Sequence, residues 1–129
     1  GEPLSFPDQV TYRGLMISNV PNLSNVFGYL RTAWTMRVGL CSEFVCRLLD
    51  HMEEKGAQVV TPTMSAEEAA LPRDRIIPED EFSAGYLKRG IHQFPKATQQ
   101  DPWRSVLDYY IEKETIPKID LDEAALVYS

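Results

Sequence analysis

The sequence predicts an α+β fold, of the kind left when an α/β domain is cut to a fragment: strands, one long helix, and a smaller tail. Three observations predict it. Residues 10 to 29 carry strand formers with no helical period. Residues 40 to 52 change to a helical stripe that stops at Gly56. The C-terminal third is cut by Pro and Gly into short apolar clusters. At 129 residues and 43% apolar content the chain suits one modest core.

Each element follows from local chemistry. "VTYRGLMIS", residues 10–18, alternates loosely and reads as a strand, and "NVPN" then has the Pro and Asn of a turn. "LSNVFGY", residues 23–29, is a short apolar run of the type buried on both faces of a parallel sheet. Such a strand needs neighbours on both sides, and this chain offers at most one before it. From Thr35, Leu40, Phe44, Val45, Leu48, Leu49 and Met52 form the apolar side of an amphipathic helix. Glu43, Arg47, Asp50, Glu54 and Lys55 take the other side, and Gly56 is a left-handed stop.

"AQVVTPT" reads as a short strand, and residues 62–80, mixed in charge with no clear period, read as an exposed connection. "EFSAGYLKRG" has one or two helical turns, and "HQFPKATQQ" is polar loop. Asp101 followed by Pro102 has the form of an N-cap and first helical residue. Trp103, Val106, Leu107, Tyr110 and Ile111 then make a helical stripe of about three turns, ended by Pro117. "LDEAALVYS" closes the chain as a strand. The resulting division is 1–61, a connection at 62–80, and a helical and extended tail at 81–129.

Composition excludes several functions. The net charge is -6 and no Lys/Arg run offsets it locally, which argues against nucleic acid as a partner. No run of about 18 apolar residues predicts a membrane span, and the N-terminus lacks the basic and apolar regions of a signal peptide, so the expected location is cytoplasmic. Cys41 and Cys46 lie on different faces of one helix, at neither metal-ligand nor disulfide spacing, and read as reduced. His51 and His92 have no partner ligands at metal-site spacing and read as surface histidines; no metal is expected. No Ser, Cys or Lys sits in a nucleophile motif, and no Gly-rich phosphate loop is present, so no catalytic residue is assigned.

One stretch bears on a ligand. A strand ending at Gly28, a loop with Arg31 and Thr32, and a helix starting near Thr35 would set backbone N–H groups at the end of a sheet, where α/β folds bind ligands. On residues alone "RTAWTMR" is more simply read as only a loop and cap, with Trp34 in the core and Arg31 and Arg37 in solvent.

Taken in order, "YRGLMISNVPNLSNVFGY", "AWTMR", "SEFVCRLLDHME", "FSAGYLKRG", "DPWR" and "IDLDEAAL" resemble the C-terminal end of the Baeyer–Villiger type, or class B, flavoprotein monooxygenases. The resemblance spans roughly residues 10 to 127. It implies that residues 1–61 are the terminal strand–turn–strand–helix of an FAD-binding domain, in a parent enzyme that uses FAD, NADPH and O2 to oxygenate ketones or sulfur and nitrogen centres. Carried over by position, Gly28, Trp34, Thr35, Met36 and Arg37 are the cofactor neighbours, with Gly28 leaving room for close approach and the helix start favouring negative charge on the reduced flavin.

The chain departs from the family pattern at Leu30 and Arg31, where relatives carry small polar residues. The nucleotide-binding fingerprints of the family are not in these residues. The resemblance therefore implies a piece that binds no FAD by itself and does not turn over, with the remainder of the parent as its partner and self-association satisfying the exposed strand. The alternative expectation is a free-standing α+β interaction or dimerisation module.

Overall fold

The computed structural model describes residues 1–79 and 84–129; the expected start of a helix at 81–83, and Asp80 of the connection, lie outside the described residues. Mixed helix and strand appear as expected for an α+β fragment, but the strands are short and form three separate two-stranded antiparallel ladders.

The first departs from the single strand expected at 10–18. Arg13 and Gly14 both take positive φ, 50° and 67°, and Leu15 N–H donates to the Tyr12 carbonyl at 2.8 Å. Two consecutive left-handed residues make the tight turn that suits strand twist. It separates β1 (Thr11–Tyr12) from β2 (Met16–Ile17), which pair with Thr11 opposite Ile17. The turn at 19–22 forms as predicted, with Asn19 and Asn22 left-handed.

The buried strand expected at 23–29 does not form. The segment is extended, but among the described residues its only ladder contact is an isolated bridge between Ser24 and Met16, and Val26 is 41% exposed. An apolar run becomes a central strand only where strands lie on both sides. Among the described residues none flanks it in that way.

Helix α1 (Trp34–Lys55) matches its expected span. It ends in paired bonds, Gly56 N–H to the Glu53 carbonyl and Ala57 N–H to the Met52 carbonyl, with Gly56 at φ 66°. Its buried line is Arg37, Cys41, Phe44, Leu48 and Met52. Strand β3 (Val60–Pro62) pairs with β6 (Leu126–Tyr128), so both predicted short strands exist and the middle of the chain meets its last residues.

The stretch expected as an exposed connection is more structured than its composition suggested. It contains α2 (Ala66–Ala69), opened by a Ser65–Glu68 capping box, and β4 (Asp74–Arg75), which pairs with β5 (Lys96–Ala97). Ile76 and Ile77 follow β4 into a small core with Leu87, Ile91 and Ala97. Helix α3 (Gly85–Gly90) and a 3-10 turn at Ile91–Gln93 supply part of that core.

The helix predicted from Asp101 begins later, as α4 (Tyr109–Thr115). Trp103 leaves the expected stripe because it is fully buried in the main core, and Tyr110 is 70% exposed. Asp108, not Asp101, is the cap: its carboxylate accepts the Ile111 N–H at 3.2 Å. A 3-10 turn at Ile116–Lys118, containing Pro117, then stops the helix. The main core gathers Val10, Tyr12, Leu15, Phe44, Leu48, Trp103, Ile116 and Leu126, so residues from both ends of the sequence share it.

Candidate functional site

The residues singled out from sequence meet where the extended segment turns into α1. Ala33 is the N-cap of α1, with no side-chain bond to the first turn and no acidic residue there. The leading N–H groups of a 22-residue helix thus lack a capping side chain. Trp34, Thr35 and Met36 are exposed on this first turn, Trp34 by 49%. The Met36 N–H donates to the Ala33 carbonyl at 3.2 Å, and the turn offers the Trp34 and Thr35 N–H groups, an indole face, a hydroxyl and a thioether, which can hold a flat or electron-rich ligand.

Gly28 serves a different contact from the one expected. A Cβ added there would fall inside the Trp34 indole, so the glycine admits Trp34 rather than leaving open space. Phe27 flanks the same indole, ring centroids 5.5 Å apart. Gly28 and Phe27 therefore set the plane in which Trp34 stands.

Arg37 points the other way. Its side chain is fully buried, not in solvent. Nε and Nη2 donate to the Glu112 carboxylate at 3.0 and 2.9 Å, Nη1 donates to the Gly14 and Phe27 carbonyls at 2.9 Å each, and Nη2 also reaches the Arg13 carbonyl at 3.3 Å. All five guanidinium protons are used. Burial works against the Arg37 charge, but the bonds and charge of Glu112 outweigh it and hold the group above its ordinary pKa. Gly14 is required here twice, by its positive φ and because a Cβ would stand 2.7 Å from Nη2. The clamp ties the β1–β2 turn, the extended segment and α4 to the first turn of α1.

Tyr29 lies beneath it, its ring 6.0 Å from the Arg37 guanidinium, and burial together with Glu112 pushes its phenol up. Burial also raises the Cys41 thiol, with the Arg37 charge opposing. Cys46 is exposed and both cysteines are free. His51 contacts Asp122 at 3.2 Å and His92 is exposed. Among the described residues no cluster of three or more His, Cys, Asp or Glu is placed to hold a metal, and no helix is long and apolar enough to cross a membrane.

Comparison with known proteins finds sequence relatives along the whole chain. The FAD-containing monooxygenase EthA of Mycolicibacterium smegmatis is 33% identical over 131 residues, taking in 100% of this chain and 25% of the relative. The chain is a relative of the FAD-containing monooxygenases. EthA of Mycobacterium tuberculosis is 31% identical over 132 residues, again 100% of this chain and 25% of the relative. The FAD-binding monooxygenase AlmA of Acinetobacter baylyi is 28% identical over 126 residues, 98% of this chain and 24% of the relative. The chain thus spans about a quarter of the length of the curated monooxygenases it matches. No family model matches it, and no solved structure does.

Glu112 and Gly14 are the participants that sequence reading missed. Glu112 lies 75 residues from Arg37 and looks, in its own helix, like any exposed acid. Gly14 carried a local signal, a glycine between the strand formers Thr11-Tyr12 and Leu15-Met16, which suits a hairpin turn.

Proposed function

We propose that the chain is the C-terminal quarter of an FAD- and NADPH-dependent monooxygenase of the Baeyer–Villiger type, acting in the cytoplasm on ketones or on sulfur or nitrogen centres. The observation that carries the reading is the match along the entire chain to a quarter of the FAD-containing monooxygenases. The uncapped start of α1 fits it, because open N–H groups and a positive helix end suit the electron-rich edge of a flavin ring. The residues do not form a diphosphate cradle, since no Gly-rich phosphate loop is among them.

Bound FAD supplies the transfer of one oxygen atom from O2 to substrate, with NADPH as the source of electrons. This chain's residues bind and orient. Trp34, Thr35 and Met36 would be the flavin neighbours, through the indole face and the first-turn N–H groups. Gly28 acts by seating Trp34. Arg37 belongs to the same site as a positioning residue: its protons are spent inside the chain, and its part is to fix where the first turn of α1 stands.

The test uses the polypeptide whose gene contains these 129 residues. Purified, it should carry a flavin absorbance band and oxidise NADPH faster when a ketone or sulfide is added. The 129-residue chain titrated with FAD should show no binding. A colourless longer polypeptide, or a 129-residue chain that purifies yellow, contradicts the proposal.

A further inference from the structure

Helix α1 is apolar over a wider arc than its own core uses. Trp34, Val38, Val45 and Leu49 are spaced i, i+4, i+11 and i+15, which places them on one line along the helix. That line runs beside the buried one of Arg37, Cys41, Phe44, Leu48 and Met52. Yet Trp34, Val38 and Leu49 are 49%, 42% and 58% exposed.

The stripe opens into a groove. A cavity of about 190 Å³ is lined by Val45, Leu48, Leu49 and Met52 of α1 and, opposite, by Met16 and Val60. Two of its three polar lining residues, Asn22 and Ser24, already have partners. Asn22 donates to the Gln58 carbonyl at 3.0 Å and accepts the Val60 N–H at 2.9 Å, and Ser24 donates to the Leu15 carbonyl at 2.9 Å. An occupant gains nothing there by bringing polar groups and gains by burying apolar ones.

We propose that this stripe and groove are the docking face for the remaining polypeptide of the longer monooxygenase. The inference rests on the reading given under Proposed function and names the surface through which it acts. Two observations select this occupant over a second copy. The relatives extend to about four times the matched length, so polypeptide is available to cover the face. Two copies would each carry a net charge of -6 into contact, which opposes self-pairing.

The test places Val38→Asp and Leu49→Asp in both the 129-residue chain and the longer polypeptide that contains it. In the 129-residue chain each replaces one exposed side chain by another, and the thermal midpoint should move by less than about 2 °C. In the longer polypeptide each buries a carboxylate, and the midpoint should fall by at least about 5 °C or soluble protein should be lost. The milder Val38→Thr and Leu49→Gln should remain folded and show a smaller fall in the longer polypeptide only. Glu43→Gln, on the polar side of α1, should move neither.

Small, equal shifts in both polypeptides overturn the docking face, while a flavin band in the longer one leaves the functional reading standing. A colourless longer polypeptide, or a gene that encodes no more than these residues, overturns that reading and this one with it. If the 129-residue chain dimerises and Leu49→Asp abolishes the dimer, the face belongs to a second copy and the proposal fails.

Discussion

At the scale of single residues, the Arg37–Glu112 pair decides the most. Both side chains are essentially buried, at 0% and 4% exposure, and charges in that setting are favourable only while every partner is in place. Arg37→Met should therefore destabilise the chain by about 3–5 kcal/mol, read from the denaturant midpoint, because Glu112 is left charged and unpaired. Arg37→Met combined with Glu112→Leu should recover part of that loss, the Gly14, Phe27 and Arg13 carbonyls staying without their donor. A double variant no better than the single one would show that the pair is not the unit of stability. Arg37→Lys should not repair the site, since an ammonium has three donors and no fork for the five bonds in place. A second pair responds to pH. The Asp122 carboxylate is held below its ordinary pKa, chiefly by its bond to Lys55 at 2.7 Å, with burial opposing and His51 assisting. A depressed carboxylate adds stability that is complete above its ordinary pKa of about 3.9 and is lost as pH falls through the lowered value. Because Asp122 is 61% exposed and screened by solvent, Asp122→Asn should lessen the loss of stability below about pH 4 only slightly, and an unchanged acid limb would remove Asp122 from the account. Sequence could place Arg37 near a helix start but not in a core. Nothing in residues 31–37 indicates that the partner lies 75 residues on.

At the scale of elements, legibility followed how local the cause was. Helix α1 was readable because its period and its Gly56 stop are both contained in the segment. Strands β3 and β6 were readable one by one from their apolar runs, although their pairing was not. The segment 23–29 was misread because an apolar run describes a strand and the sheet it belongs to together, and the described residues supply only the bridge at Ser24. The connection at 62–80 was misread because a two-residue strand and a four-residue helix leave no period to detect. Helix α4 tests the point directly, since two Asp residues competed for the same cap. Asp101 followed by Pro102 has the better sequence signature, but Trp103 is drawn fully into the core, and Asp108 caps the helix that forms. Asp108→Ala should cost about 1 kcal/mol of stability. Asp101→Ala, which loses only an exposed contact with Arg104, should stay within about 0.5 kcal/mol. Chemical denaturation of the two variants side by side checks this, and a larger loss for Asp101 would reassign the helix start.

At the scale of the whole molecule, the last six residues close the fold. Strand β6 pairs with β3 across the full register from Val60 opposite Tyr128 to Pro62 opposite Leu126. Beyond that ladder, Thr63 N–H donates to the Ala125 carbonyl, and Gln58 and Val59 N–H both donate to the Ser129 carbonyl, each at 2.8 Å. Ala125 and Leu126 enter the main core beside Val60 and Met52, so removing them leaves apolar surface of α1 without cover as well as an unpaired strand edge. The residues just before behave differently: Glu123 holds Tyr12 and pairs with Arg13 at 3.0 Å through its own side chain, and these contacts would survive a cut after position 123. A chain ending at Glu123 should therefore keep the anchor between its two ends but lose the closing strand. Circular dichroism should still show helix, while the thermal transition broadens and its midpoint falls by more than 10 °C, about what a loss of 3 kcal/mol would produce in a domain of this size. A sharp transition near the original midpoint would mean that α1 and the β1–β2 hairpin hold the core without β6. In that case the face left open by β6 would join the stripe of α1 as surface available to a partner.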